Sequence, residues 1–188
     1  MTKDEYWDSY SSGDLCERFH NQFNVWWDSN KFDWVKCSAL LCMYCTSDFS
    51  TWWDSEKFEW KRASLALAQF CSEYFEEWWD PKKFEWGKGS HSLALCCSDN
   101  FNVWWDPTLF NWNHSETLAE RCAVYFSKWW NLEKFDWEEG RQALAGNCAD
   151  KFEDSQIKRL LLSPRKVIRN FAKKEFNRRI NEANRRLQ

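Results

Sequence analysis

Glycine and histidine are scarce in this sequence, with 5 Gly and 3 His among 188 residues. The glycines form no Gly-rich phosphate-binding loop, and His20, His91 and His114 occupy unrelated positions relative to the repeat described below. No nucleophile has a base at a motif spacing, and the carboxylates follow surface and capping positions, so no acid pair stands out. We therefore expect a protein that is not an enzyme and that carries no cofactor.

Long apolar segments are also absent. No window of about 18 apolar residues exists, which disfavours a membrane-spanning helix. No charged segment followed by an apolar run opens the chain, which disfavours a signal peptide. We expect a soluble, cytoplasmic protein that does not contact a membrane.

The cysteines lack the spacing of a zinc site or of a disulfide framework. Their number is odd at 9, and thiolates two to four residues apart with a matching second pair are missing. A column of cysteines recurs at one repeat position, at Cys45, Cys71, Cys97, Cys122 and Cys148. Packed helices lie on the order of 10 Å apart, which exceeds the Cα separation of a disulfide. The sequence predicts buried, reduced thiols and no metal.

Aromatic residues are abundant, with 16 Trp and 15 Phe. A Trp pair recurs at steps of 26, 26, 26 and 25 residues, at Trp26/Trp27, Trp52/Trp53, Trp78/Trp79, Trp104/Trp105 and Trp129/Trp130. Periods of this length are typical of stacked-repeat architectures.

The residues around each column cysteine follow a helical pattern. In the repeat of Cys71 the residues that recur are Leu67, Ala68, Phe75, Trp78 and Trp79. Their offsets of −4, −3, +4, +7 and +8 from the cysteine trace one stripe of a 3.6-residue helix and do not fit an alternating strand. The stripe predicts an amphipathic helix of about four turns, with at least one Trp of each pair in the core.

Capping residues flank the predicted helix. Serines stand just before it, as expected for an N-cap hydroxyl, at Ser38, Ser64, Ser90 and Ser115. Asp or Asn follows each Trp pair, and Pro81 comes next in one repeat, which predicts the start of a second, short helix with the Phe-x-Trp motif. Gly87, Gly89 and Gly140 predict the end of that short helix. The stem of a Lys such as Lys83 is expected to cover an indole face.

The sequence thus predicts an all-α protein, an α-solenoid of about five tandem 26-residue helix-turn-short-helix repeats. We divide the chain into a degenerate N-terminal cap at 1–14, tandem repeats over 15–157 and a basic C-terminal helix within 158–188. The repeats are 15–40, 41–66, 67–92, 93–117 and 118–143, with a partial copy at 144–157. The architecture resembles that of tetratricopeptide and HEAT arrays, but the Trp-Trp-Asp and Phe-x-Trp signature differs from theirs, so no functional residue is transferred.

Charge is distributed unevenly along the chain. The formal net charge is −3, yet residues 158–188 carry net +9, which leaves net −12 for residues 1–157. Apolar residues recur every three or four positions over 164–187, at Ile168, Ala172, Phe176, Ile180, Ala183 and Leu187. This spacing predicts one long basic amphipathic helix that either lies on the last repeat or projects from it.

The leading functional hypothesis is a non-enzymatic scaffold that binds a partner protein. Positions that build the array recur in every repeat, whereas positions that vary between repeats can contact a partner. The variable positions chosen as partner-binding candidates are Glu76, Glu77, Asn102, Val103, Ser127 and Lys128. Self-association through the ends of the array or through the C-terminal helix is a further option.

The alternative hypothesis is association with nucleic acid. The side chains that would contact phosphate are Arg165, Lys166, Arg169, Lys173, Lys174, Arg178 and Arg179. A variant of this hypothesis treats the acidic array as a nucleic-acid mimic that acts as an inhibitor. Docking of the basic helix on the acidic array would explain the same charges without a ligand. The Trp pairs are a less favoured stacking platform because they belong to the core stripe.

Overall fold

The computed structural model describes residues 1–186, and the chain forms two compact units, Met1–Phe110 and Asn111–Gln188. All regular secondary structure in residues 1–186 is helical, which confirms the predicted all-α repeat fold. Leu187, which the sequence places on the apolar face of the C-terminal helix, lies outside the described residues.

The first unit contains α-helices of four to eleven residues joined by short 3₁₀ turns. The α-helices are α1 (Lys3–Ser9), α2 (Ser12–Phe19), α3 (Phe23–Trp26), α4 (Trp34–Tyr44), α5 (Phe49–Trp52), α6 (Trp60–Phe70), α7 (Phe75–Trp78), α8 (Trp86–Cys96) and α9 (Phe101–Trp104). The 3₁₀ turns are His20–Gln22, Thr46–Asp48, Ser72–Tyr74 and Ser98–Asn100. Each long helix is thus followed by a 3₁₀ turn and a one-turn α-helix.

The second unit repeats this order and then departs from it. Its α-helices are α10 (Ser115–Arg121), α11 (Phe126–Trp129), α12 (Arg141–Asn147), α13 (Asp154–Leu161) and α14 (Lys166–Arg186). The 3₁₀ turns are Trp112–His114, Ala123–Tyr125 and Ala149–Lys151. No helix within residues 1–186 has both the length and the apolar character that crossing a bilayer requires.

The predicted continuous four-turn helix is wrong, because the chain leaves helical geometry at the column cysteine. Cys71 has φ −116° and ψ 27°, and it ends α6. Its carbonyl accepts hydrogen bonds from the Tyr74 N–H (3.0 Å) and from the indole N–H of Trp78 (2.7 Å). These donors replace the i+4 N–H of a continuing helix. The stripe of Leu67, Phe75 and Trp78 is nevertheless buried as predicted.

The predicted short helix after the Trp pair is also wrong, since the Asp begins only a single hydrogen-bonded turn. The Asp80 carbonyl accepts from the Phe84 N–H (3.0 Å), and its carboxylate accepts from the Lys82 N–H (2.9 Å). Trp86 then opens α8, and its indole N–H donates to the Pro81 carbonyl (3.1 Å). The Asp carboxylate accepts a backbone N–H, but in a turn rather than as the predicted helix N-cap, and the Phe-x-Trp motif leads into the next long helix.

The predicted serine N-caps are not N-caps: Ser38, Ser64 and Ser90 lie inside long helices, and Ser115 is the first residue of α10. Ser64 donates its hydroxyl hydrogen to the Trp60 carbonyl (2.6 Å) and accepts from the N–H of Glu85 in the next repeat (3.1 Å). The same acceptor contact recurs between repeats in both units, for Ser12 with Asp33, Ser38 with Glu59 and Ser115 with Asp136. In the first unit each of these serines therefore satisfies the backbone N–H of the residue that caps the following long helix, and Ser115 satisfies that of Asp136 ahead of α12.

The glycines do not end short helices. Gly87 and Gly89 lie within α8, and Gly140 is the N-cap of α12 with φ −81°. A Cβ on Gly89 would lie 2.3 Å from Cζ of Phe84, and one on Gly140 would lie 2.6 Å from Cζ of Phe135. Both glycines therefore leave space for the buried Phe of the Phe-x-Trp motif.

Within the first unit, successive long helices pack side by side, α2 on α4, α4 on α6 and α6 on α8. Lysine side chains of the turns reach back along the array. Lys57 bonds to Ser29 (2.6 Å) and Lys83 to Glu56 (2.6 Å) in the preceding turn, and Lys31 bonds to Asp4 of α1 (2.8 Å). These lysines were predicted to cover an indole face. In the second unit Lys134 does so, with Nζ 5.5 Å from the centroid of Trp112.

The N-terminal helix α1 closes the first unit at one end. Its Thr2 and Glu5 form a reciprocal capping box. The indole N–H of Trp7 donates to the Trp26 carbonyl (2.7 Å), and the buried Tyr6 hydroxyl bonds to Gln22. Residues that echo the repeat motif out of register thus cover the first repeat.

The last step between Trp pairs is 25 residues rather than 26, and the missing residue is accounted for at the start of a long helix in the second unit. The helices α4, α6 and α8 have 11 residues each. The corresponding segment here is a 3-residue 3₁₀ turn, Trp112–His114, followed by the 7-residue α10. Three 3₁₀ residues rise about 6 Å, as do four α-helical residues, so one residue is lost without shortening the segment.

The C-terminal helix α14 packs against α12 and α13, which decides between the two predicted placements. Phe171 lies 5.6 Å from the rings of Trp137 and Phe152. The predicted apolar face is correct for Ile168 and Ala172 but wrong farther along, where Ile180 is 43% exposed. The buried face of α14 also includes Phe171 and Glu175, which the sequence did not place there.

Candidate functional site

The predicted partner-binding residues lie in the one-turn helices. Phe75 and Trp78, at the ends of α7, are each 2% exposed, whereas Glu76 and Glu77 between them are exposed. The same holds for Asn102 and Val103 in α9 and for Ser127 and Lys128 in α11, with Val103 63% exposed. In both units, pairs of exposed residues thus lie between buried aromatic residues. We call the buried aromatics, together with the second Trp of each pair, the aromatic frame.

The aromatic frame is packed rather than open. Trp78 is buried, and its partner Trp79 stacks on Phe75 (5.2 Å) and meets the edge of Trp86 (5.6 Å). Rings of the protein itself, Phe75 and Trp86, therefore already pack against the half-buried Trp79. This arrangement explains why the second Trp of a pair makes a poor platform for an incoming base.

A second exposed surface, which sequence reasoning missed, lies on the long helices of the first unit. We call it the outer apolar patch, and its exposed side chains are Val35, Met43 and Tyr44 of α4 with Leu65 and Phe70 of α6. Apolar groups are exposed singly on most proteins, whereas α4 and α6 here each expose more than one. The signal in the sequence was that these apolar residues fall outside the recurring buried positions of their helices.

The predicted phosphate-binding residues separate into two sets. Arg179 donates to Glu175, to Asp154 and to the carbonyls of Ala149 and Phe152, with distances of 2.6 to 2.8 Å. Arg178 pairs with Glu175 and Glu182, and Arg169 donates to the carbonyls of Ser163 and Pro164. Arg179 therefore ties α14 to residues 149–154, Arg169 bonds the segment that leads into the helix, and Arg178 bonds within the helix. The second set is Arg165, Lys166, Lys173 and Lys174, which are exposed.

Three members of the second set face a groove with a volume of about 1110 Å³ between α12 and α14. Arg165, Lys166 and Lys174 line it together with Arg141 of α12, and Glu138 is the acidic residue in the lining. Lys173, next to Lys174 in sequence, does not line the groove. The structure therefore brings part of the predicted phosphate-binding set together with an arginine that the sequence did not single out.

Glu175 is a buried carboxylate on α14. Burial by itself raises its pKa, but the hydrogen bonds and charges of Arg178 and Arg179 outweigh burial, so the pKa of Glu175 lies below its ordinary value. The carboxylate is therefore ionised at neutral pH and holds both arginines against the helix. Its role is structural rather than that of an acid or base.

The column cysteines are buried, and burial raises the pKa of Cys97, Cys122 and Cys148 to about 12. The thiols of Cys97 and Cys148 donate to carbonyls of the preceding repeat, at Ala68 (3.5 Å) and Ala119 (3.6 Å). Within residues 1–186, no group of three or more His, Cys, Asp or Glu side chains is arranged to hold a metal ion. The column thus packs and bonds between repeats.

The chain matches no protein-family model, no curated protein and no solved structure. The functional argument therefore depends on the geometry described above.

Proposed function

We propose that this chain is a non-enzymatic helical-repeat protein that binds a partner protein through exposed, variable positions of its repeats. The observation that carries the proposal is the contrast inside the one-turn helices. Their end residues, such as Phe75 and Trp78, are buried, while the two residues between them are exposed. The exposed pairs also change in chemistry, from Glu76-Glu77 to Asn102-Val103 to Ser127-Lys128.

Rigid presentation supports this proposal. The backbone of each one-turn helix is fixed by an indole hydrogen bond, from Trp78 to the Cys71 carbonyl (2.7 Å) and from Trp104 to the Cys97 carbonyl (2.8 Å). Side chains on a fixed backbone lose less conformational entropy on binding than side chains on a mobile loop. Changes at the exposed pairs leave the packed frame intact, so these positions can vary to suit a partner.

The outer apolar patch supports the same function. Protein interfaces are depleted in charge at their centre and enriched in aromatic residues and Met. The patch supplies Met43, Tyr44 and Phe70 from adjacent helices. A partner that covers the patch would remove apolar area from water, which is the main favourable term in association.

The proposal is tested by photo-crosslinking in the native cell. A photoreactive phenylalanine analogue at Val103 is expected to give a discrete protein adduct that survives nuclease treatment. The control places the analogue at Lys82, which is exposed on a turn. Equal adduct patterns at both positions would contradict the assignment of the one-turn helices.

A double substitution gives a second test of the same surface. Glu76→Ala/Glu77→Ala is expected to reduce capture of the crosslinked partner and to leave the melting temperature within about 1 °C, since surface changes alter stability little. The control is Glu73→Ala, an exposed carboxylate in the preceding 3₁₀ turn. Loss of the folded state in the double variant would contradict the proposed separation of frame and surface.

The alternative proposal, association with nucleic acid, is favoured by the exposed cations Arg165, Lys166, Lys173 and Lys174. Affinity carried by phosphate contacts falls steeply as salt rises, because binding releases counterions. Titration of a single-stranded DNA at about 50 and 200 mM salt therefore separates the two proposals, with a roughly 10-fold or larger loss expected for phosphate contacts. Absence of binding at the lower salt would remove the alternative, including its role for the basic helix.

We also propose a cytoplasmic location. All 9 cysteines are free, and most are buried in the packed frame, which suits a reducing compartment. Imaging of a fluorescently tagged chain tests this proposal, and accumulation in an oxidising compartment would contradict it.

A further inference from the structure

The groove between α12 and α14 is lined by four basic residues and one acidic residue. It lies in the second unit, where the N-terminal half of α14 packs beside α12. Its volume is about 1110 Å³. Its residues belong to neither the exposed pairs nor the outer apolar patch, so the inference below does not depend on the function proposed above.

Four of the residues that line the groove are apolar, and we call them its floor. Ala145 and Gly146 of α12 face Val167 and Phe171 of α14 across it. A Cβ on Gly146 would meet no atom within 4 Å, so nothing in the described fold fills this space. Phe171 is 7% exposed, with its ring packed against Trp137, so the floor offers aliphatic surface rather than an open aromatic face.

The rim of the groove is basic. Arg165, Lys166 and Lys174 make no side-chain hydrogen bond or ion pair with the described residues, in contrast to Arg169, Arg178 and Arg179 on the same helix. A fourth cation, Arg141, has only a long contact of 3.9 Å with Glu138. Four cations and one carboxylate therefore line the groove beside its apolar floor, and the side chains of Lys166 and Lys174 of α14 and of Arg165 just before it form no bond within the described fold.

We propose that this groove binds an acidic amphipathic helix of a partner protein. The apolar face of such a helix would lie on Ala145, Gly146 and Val167, and its carboxylates would pair with the rim. The 7-residue α12 rises about 10 Å, so the groove accommodates about two turns of a bound helix. Gln142 and Asn170 in the lining provide amide donors and acceptors for polar groups of the bound helix.

The apolar floor is the reason for preferring a protein helix over a nucleic acid. Phosphates would pair with the rim equally well, but a nucleic acid would leave the floor uncovered or would need an open ring for base stacking. Phe171 presents no such ring. Charge and apolar surface are both satisfied only by a ligand that carries carboxylates beside aliphatic or aromatic side chains.

The proposal is tested by selecting displayed random 16-residue peptides on the full chain. Peptides are then sorted by loss of binding to Gly146→Trp, which fills the groove at a position where added atoms meet open space. The groove-dependent peptides are expected to carry Asp or Glu beside apolar residues spaced i, i+3 or i+4, and i+7. Circular dichroism and thermal melting of Gly146→Trp must match the parent chain. Failure to obtain any peptide that distinguishes parent from variant overturns the proposal.

A matched pair of charge reversals gives the decisive comparison. Lys174 lines the groove and Lys173 does not, yet both are exposed on α14. Fluorescence anisotropy with the selected peptide is expected to show about 10-fold weaker binding for Lys174→Glu and less than 2-fold for Lys173→Glu. Equal weakening by both changes would indicate diffuse attraction and would overturn the site. Tighter, groove-dependent binding of a 20-nucleotide single-stranded DNA would also overturn it, by assigning the groove to nucleic acid.

Discussion

The hydroxyl of Ser64 accepts a hydrogen bond from the backbone N–H of Glu85, one repeat farther along the chain, with Oγ and N 3.1 Å apart. Ser64 also donates to the Trp60 carbonyl at 2.6 Å, so both hydrogen-bonding capacities of one hydroxyl are used between two repeats. A side chain in the interior of α6 is thereby linked to the backbone of the residue that caps α8. Stacking in this array consequently has a polar component in addition to its aromatic core.

Replacement of Ser64 by Ala is expected to lower the free energy of unfolding because it removes a hydroxyl group that links two repeats. Ser64→Ala leaves the N–H of Glu85 without its partner, which costs about 1–3 kcal/mol for a buried group. Urea unfolding followed by circular dichroism measures the change. Ser50→Ala, at an exposed position of α5, is the control and should change the free energy of unfolding by less than about 0.5 kcal/mol. Equal effects at both positions would contradict the linking role.

The two members of a Trp pair are expected to differ in their contribution to stability. Trp78 is 2% exposed and its indole N–H donates to the Cys71 carbonyl, so Trp78→Ala should cost about 3–5 kcal/mol. Trp79 is half-buried, and Trp7 lies in the terminal helix α1, so Trp79→Ala and Trp7→Ala should cost less. Thermal and denaturant unfolding of the three variants gives the order. A small loss for Trp78→Ala would argue against an aromatic core.

The indole hydrogen bond can be separated from the volume of the ring. Trp78→Phe retains most apolar contacts but removes the donor to the Cys71 carbonyl, which ends α6. We expect a loss larger than that of Trp79→Phe, since the second Trp of the pair is already half-exposed. The same unfolding measurement distinguishes them.

The buried thiols should make the protein less stable at alkaline pH. Burial raises the pKa of Cys97, Cys122 and Cys148 to about 12 from an ordinary value of 9.0, so these thiols stay protonated in the folded state while they ionise in the unfolded state. The unfolded state then binds fewer protons, and stability falls as pH rises from about 9 toward 12. Unfolding at pH 7 and 10 tests this direction, and Cys122→Ala should reduce the slope.

The same burial should protect these thiols from alkylation. Iodoacetamide at pH 8 is expected to label Cys97 and Cys122 only after denaturant is added, because the thiolate is the reactive form and both side chains lie in the packed core. Mass spectrometry of the labelled peptides reads out each position. Rapid labelling of either cysteine in the native protein would mean that the core face is misassigned.

Acidification should weaken the attachment of α14. The pKa of Glu175 is lowered because its contacts with Arg178 and Arg179 outweigh its burial, so its stabilising effect is present above about pH 4.5 and is lost as pH falls through its folded-state pKa. Glu175→Gln should cost roughly 2 kcal/mol at pH 7 and should flatten the fall in stability between pH 5 and 3. Asp150→Asn, on an exposed carboxylate, is the control. An unchanged acid profile in Glu175→Gln would contradict this assignment.

The repeat period and the core were readable from the sequence because burial imposes a local periodicity. Leu67, Phe75 and Trp78 recur at fixed offsets from Cys71, and all are buried. The exposure of Glu76 and Glu77 followed from the same argument, since they fall between two buried aromatics. The candidate partner-binding positions could therefore be placed on the surface before any contact was known.

The order of elements within the repeat could not be read in the same way. A stripe of about four turns is satisfied by one continuous helix and equally by a helix, a 3₁₀ turn and a one-turn helix, because their apolar positions nearly coincide over this length. The break at Cys71 is decided by an indole seven residues away, and the role of Ser64 by a backbone N–H 21 residues away. Propensity and spacing describe neither contact.

Tertiary packing decided where the basic helix lies and which of its cations stay unpaired. The sequence predicted a basic helix over residues 164–187, and among the described residues the structure has α14 over Lys166–Arg186. Docking then decided which cations remain available: Arg179 reaches carbonyls 27 and 30 residues away, while Lys174 lines a groove with Arg141. Charge along a chain is a local property, but whether a charge is paired depends on which backbone and carboxylate oxygens folding brings within hydrogen-bond distance.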